Sequence, residues 1–212
     1  YNTAAQLSAE LRWTGDKRPY YDVYPSVTEA FIKIDLSKIN ASQVALPIKD
    51  LLIRFQAGHE FQASPRTNIN TILVSETQSY QTGGRGILLS INDGSMEEWD
   101  GTPVPIHTVR GIVLDDNLSI EEHLLKGRNN TEKDFVDEEA VSNVMRLIVA
   151  LCLLKDNPDL IEPQPLEADR DKWLETHDAK YLDKAARRGK RGWSVGKHIE
   201  IAPGFRRPHF AI

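Results

Sequence analysis

The sequence predicts an α+β protein in which an antiparallel or mixed sheet packs on one long buried helix, with a basic helix-strand extension at the C-terminal end. Three observations predict it. Short β-rich runs are separated by Gly, Asn, Asp and Pro clusters, one strongly apolar helical run occupies about residues 135–155, and Lys and Arg concentrate in residues 180–212. No long helical segment separates the β-rich runs, which argues against a doubly wound parallel sheet.

Taken in order, residues 1–24 read as an N-terminal arm. A short helical pattern at 4–11 is followed by Thr14-Gly15-Asp16 and the polar aromatic string Pro19-Tyr20-Tyr21-Asp22. An α+β core is expected over 25–156. Its first strand is placed at 28–36, where Ala30, Ile32 and Ile34 alternate with Phe31, Lys33 and Asp35. Further strands are expected at 51–55, 71–75, 86–91 and 104–114, with turns at Thr82-Gly83-Gly84 and Asn92-Asp93-Gly94. Residues 119–125 open a short helix with Ser119 as its cap and Glu121 and Glu122 in its first turn.

The long helix is placed at about 135–155, capped by Asp134 and stopped by Asn157 and Pro158. Val141, Val144, Met145, Leu147, Ile148, Leu151, Cys152 and Leu154 crowd most of its circumference, so it is expected to be covered on more than one side. Residues 157–170 read as a surface connector containing three prolines. Residues 171–212 read as the basic C-terminal element: a helical pattern at 171–186, then a return strand within 194–212 carrying His198-Ile199-Glu200-Ile201.

Composition bounds the function classes. At 212 residues the chain is long enough for a substantial core. A single cysteine excludes an internal disulfide and a cysteine-only zinc site, and the apolar setting of Cys152 raises its pKa and blunts it as a nucleophile. No run approaches the roughly 18–20 apolar residues of a membrane helix, and the first residues lack an export signal, so a cytoplasmic setting without membrane insertion is expected. A first residue other than Met, and a stop directly after the basic stretch, raise the expectation of further chain at both ends.

Charge polarity is the feature that points to function. Residues 180–212 carry four Lys and five Arg against Asp183 and Glu200, a surplus of seven, and the whole chain is −5, so residues 1–179 carry a net charge of about −12. Arg187, Arg188, Lys190 and Arg191 flank Gly189 and precede Gly192-Trp193, bringing guanidinium forks, a flexible backbone and an indole within seven residues. Lys197, Phe205, Arg206, Arg207, His209 and Phe210 repeat the theme after Pro203-Gly204. Arg binds phosphate or carboxylate bidentately, and aromatic rings stack on bases or anchor in pockets. These eleven residues are the expected partner or nucleic-acid site.

Catalytic chemistry is less legible. Gly83-Gly84-Arg85-Gly86 lacks the spacing of a phosphate cradle and reads as a turn. His59 with Glu60, His107, and His123 with Glu121 and Glu122 are read as hydrogen-bonding residues rather than acid-base pairs. None of the six histidines shows metal spacing, so neither metal nor cofactor is expected. His198 and His209 beside Arg206 and Arg207 have the residue types of a metal-independent ribonuclease.

Three segments carry a family resemblance. The apolar run 144–161, with its Leu151-Cys152 and Pro158-Asp159 elements, the closing Phe205-Arg206-Arg207-Pro208-His209-Phe210, and the 30–36 segment resemble a type V-A anti-CRISPR protein family. That family blocks production of an RNA-guided nuclease effector and has uncharacterised phage and plasmid homologues. Where the family has His and Trp around its Arg-Arg-x-His element, this chain has Phe210. The resemblance implies a mobile-element protein that binds a nascent chain, a ribonucleoprotein or RNA, with a CRISPR effector as the implied partner. An inhibitor would anchor through Trp193, Phe205 and Phe210 with Arg206 and Arg207 around them. An RNA- or DNA-binding regulator would use the same residues with steep salt dependence. Both readings stand closer to the residues than an enzyme does.

Overall fold

The computed structural model describes residues 2–15, 18–55, 59–79, 83–105, 107–128, 137–157, 159–164, 172, 175–178, 180–181 and 192–197. Among them are four helices and a mixed seven-stranded sheet, an α+β arrangement. In chain order the elements are α1 (Asn2–Gly15), β1 (Tyr20–Val23), α2 (Pro25–Phe31), β2 (Asp50–Phe55), β3 (Phe61–Ser64), β4 (Thr67–Ile69), β5 (Thr71–Gln78) and β6 (Arg85–Asn92). They continue with β7 (Met96–Trp99), β8 (Thr102–Pro105), β9 (Thr108–Val113), α3 (Ile120–Arg128), α4 (Glu138–Leu153), β10 (Ile161–Gln164) and β11 (Gly192–Val195).

The sheet order is β10-β11-β1-β2-β5-β6-β9. β1 runs parallel to both β11 and β2, whereas β10 and the series β2, β5, β6, β9 pair antiparallel. Alternation divides the faces. Leu51, Ile53, Ile72, Val74, Ile87, Leu89 and Ile112 join the main core, and Leu52, Leu73, Leu88 and Val109 point the other way.

The core face is closed by α4, which buries ten residues from Ala140 to Cys152 and also packs against α2 and β3. Its start is fixed by Asp137, not Asp134 as expected. The Asp137 carboxylate accepts from the Ala140 N–H at 3.1 Å, from Thr67 Oγ1 at 2.7 Å and from the Ser64 hydroxyl, so one side chain caps the helix and ties it to the β3–β4 hairpin. The second face is covered by α1, whose Ala5, Ala9 and Trp13 lie on Leu52, Leu73, Leu88 and Val109. Arg12 clasps the buried Asp50 with Nε–Oδ2 and Nη2–Oδ1 contacts of 3.1 and 2.8 Å. α3 opens with a reciprocal cap between Ser119 and Glu122.

Four element expectations change. The 28–36 run is helix α2 and a following 3-10 turn at Leu36–Lys38, because Pro25 presets the first helical turn and Val27 and Phe31, four apart, bury together. Residues assigned to an arm supply the 14-residue α1 and the inner strand β1, whose four residues are too few to show a period. The 104–114 strand divides into β8 and β9, with β8 paired to β7 in a separate hairpin. The connector contains β10, where Pro163 is tolerated because β10 is an edge strand. No helix among the described residues is long and apolar enough to cross a membrane.

Candidate partner-binding surface

β11 is the strand that the described residues place in the basic C-terminal region. Its four residues fill the slot between β10 and β1, with Gly192, Trp193, Ser194 and Val195 opposite Tyr20, Tyr21, Asp22 and Val23. Trp193 meets Tyr21 edge to face, ring centroids 5.5 Å apart at 68°, and is half-buried against the main core. Burial, followed by the nearby Cys152 and Asp156, pushes the Tyr21 hydroxyl up to about 12, so it remains neutral. Trp193 therefore contributes to the packing on the core side of the sheet.

The opposite face of β11 carries a polar cluster that sequence reasoning missed. Gly192 lies under the Tyr20 ring, and the Arg54 guanidinium sits 4.0 Å above that ring's centroid. Arg54 grips Asp22 bidentately at 2.7 and 3.0 Å. The only signal for it was the polar aromatic string around Asp22. Its Arg54 partner is 32 residues away and is brought alongside by the β1–β2 pairing.

The exit from β11 is anchored. The Gly196 N–H donates to the Leu160 carbonyl at 2.8 Å, and the Gly196 carbonyl accepts from Ser26 Oγ at 3.0 Å. Lys197 follows, exposed. Of the eleven expected site residues, Trp193 and Lys197 are thus placed on β11 and just beyond it. Arg187, Arg188, Lys190, Arg191, Phe205, Arg206, Arg207, His209 and Phe210 lie outside the described residues, as does His198. Because β11 spans the sheet for about 13 Å, the chain before Gly192 and the chain after Lys197 join it at opposite ends of the sheet.

Several of the remaining singled-out residues have structural partners. The His123 ring is buried, with Nε2 within 3.0 Å of the Asp115 backbone, and Glu122 caps Ser119, whose backbone and hydroxyl hydrogen bonds hold the Glu122 carboxyl below its ordinary range. His107 Nδ1 lies 3.1 Å from the buried Ser90 hydroxyl. His59 and Glu60 are exposed. Burial pushes the Cys152 thiol up to about 12, in keeping with an inert core residue. Among the described residues no group of three His, Cys, Asp or Glu is arranged to hold a metal.

No protein-family model matches the chain. No curated protein matches it. Among solved structures it is similar to the crystal structure of AcrVA2, at 10% identity and a TM-score of 0.48, over 84% of this chain and 57% of that one. The chain thus spans little more than half the length of that structure, and a likeness of this size carries no argument about site or partner.

Proposed function

We propose that the chain is a non-enzymatic binding protein of mobile-element type, an inhibitor in the manner of the type V-A anti-CRISPR proteins that its 144–161 and 205–210 segments resemble. It works in the cytoplasm and recognises a protein or ribonucleoprotein, a CRISPR effector or its nascent chain, through the basic, aromatic C-terminal region. The carrying observation is charge polarity: a surplus of seven cations in residues 180–212 on a chain whose other residues carry a net charge of about −12. The exposed Lys197 and the half-buried Trp193 are compatible with that reading.

The test is capture of partners by the purified chain from an extract containing the effector, with and without ribonuclease. The expected result is the effector or its nascent chain, retained after ribonuclease and lost with Arg206→Ala combined with Arg207→Ala. Loss of every partner along with the RNA would establish a nucleic-acid binder instead, whose affinity falls steeply with salt.

A further inference from the structure

The β7–β8 hairpin stands apart from the main sheet as a two-stranded sheet of its own. Met96, Glu97, Glu98 and Trp99 pair with Pro105, Val104, Pro103 and Thr102. The two-residue loop Asp100-Gly101 has φ of 50° and 76°, the type I′ geometry that suits hairpin twist and favours Gly at its second position. In such a hairpin the pair flanking the loop exchanges hydrogen bonds, as does every second pair beyond it. Trp99–Thr102 and Glu97–Val104 are then satisfied internally. The backbone groups of Met96 and Glu98 on one strand, and of Pro103 and Pro105 on the other, turn outward. Proline has no N–H, so the β8 edge is closed to strand addition and the β7 edge is open.

The described side chains of the hairpin are exposed, including Met96 at 54% and Val104 at 38%. Glu97, Glu98 and Asp100 give it three carboxylates, Asp93 in the preceding turn adds a fourth, and no Lys or Arg occurs from 93 to 109. Among the described residues none of the four is ion-paired. Glu97 and Glu98, adjacent in a strand, face opposite sides of it.

We infer that the outer edge of β7 docks an extended Lys/Arg-rich segment of a protein partner as a third strand. Backbone groups of Met96 and Glu98 supply the pairing, and consecutive cations of the incoming strand meet Glu97 and Glu98 on the two faces. Charge complementarity selects the occupant, since a nucleic-acid backbone is repelled by these four carboxylates, none of them ion-paired among the described residues. The inference stands on residues separate from the C-terminal region. The β6 end that leads into the hairpin nevertheless lies at the same end of the sheet as the β11 exit, four strand spacings or about 19 Å away. Residues 198–212, with a reach of about 50 Å, are therefore the competing occupant.

The probe is a synthetic peptide of Lys-Arg pairs separated by Val, titrated calorimetrically into the full chain, with a Glu-for-Lys/Arg peptide as control. The basic peptide is expected to bind and the acidic one not. Glu97→Gln with Glu98→Gln is expected to weaken binding about tenfold. Met96→Pro, which removes an outward donor and leaves every carboxylate, is expected to weaken it by a similar factor. Unchanged binding in Met96→Pro would overturn strand addition. Binding that appears only after residues 198–212 are removed would show the edge already filled by the chain itself and would overturn the foreign partner. Circular dichroism of each variant confirms that the hairpin change leaves the body folded.

Discussion

A methyl group at Gly192 has nowhere to go. A Cβ built there would lie 2.2 Å from Tyr20 Cζ and 2.4 Å from its hydroxyl oxygen, more than 1 Å inside ordinary contact. The ring cannot swing aside freely, because Tyr20 is buried, and Arg54 stacks 4.0 Å over its centroid while gripping Asp22. Overpacking of this kind costs about 1–3 kcal/mol. The smaller conformational freedom of alanine in the unfolded chain offsets about 0.4–1 kcal/mol. Gly192→Ala is therefore expected to destabilise the protein by about 1–2 kcal/mol in urea unfolding. The signature lies in the coupling: with Tyr20→Ala also present, the clash is gone, and the double variant should be less destabilised than the two single losses predict together. Additive losses, or a Gly192→Ala protein as stable as the parent, would refute the reasoning and return Gly192 to its sequence reading as a flexible link in a basic tail.

Further outcomes follow from the core, the α1 clasp and the α4 cap. Val144 is fully buried in α4, so Val144→Asp places an unpaired carboxylate in the core and is expected to cost about 4 kcal/mol or more, read as loss of the cooperative unfolding transition; a stable variant would mean α4 is not the centre of the core. Arg12→Ala leaves the Asp50 side chain, 5% exposed, without its cation. The expected loss is about 2 kcal/mol, below that of a fully buried pair because Arg12 keeps 37% exposure, and amide exchange in α1 should accelerate. For Asp137, burial alone would raise the carboxyl pKa, but hydrogen bonds from Ser64, Thr67 and the Ala140 and Glu139 backbone outweigh it and hold the group below its ordinary 3.8. Its stabilising share is complete above 3.8 and is lost as pH falls through the lowered folded value. Asp137→Asn should flatten that part of the acid-unfolding profile, and an unchanged profile would rule the cap out as its source.

The legible elements were those with enough residues to show a period. β2, β5 and β6 were readable as short β-rich apolar runs bounded by turn residues, and α4 because its apolar residues recur over four turns. The segment around Ala30, Ile32 and Ile34 misled because half-buried residues in a short helix and its exit turn can also alternate, while the helical pair Val27 and Phe31 was less conspicuous. β1, β10 and β11 have four residues each and acquire their strand character only by pairing. The Tyr20–Arg54–Asp22 cluster was hidden for the same reason, since its members meet only across a strand pair.

By itself the sequence determined the distribution of charge and the hydrophobic periods, which are local sums over neighbouring residues. Those are enough for an α+β class and a basic C-terminal region. Only the tertiary structure decided that Gly192–Val195 fills a sheet slot between β10 and β1. That placement interrupts the basic region with an ordered strand, turns Trp193 toward Tyr21 and makes Gly192 a close contact rather than a hinge. The physical reason is that strand pairing is non-local: a four-residue strand has no stable register until the chain 172 residues earlier supplies its neighbour.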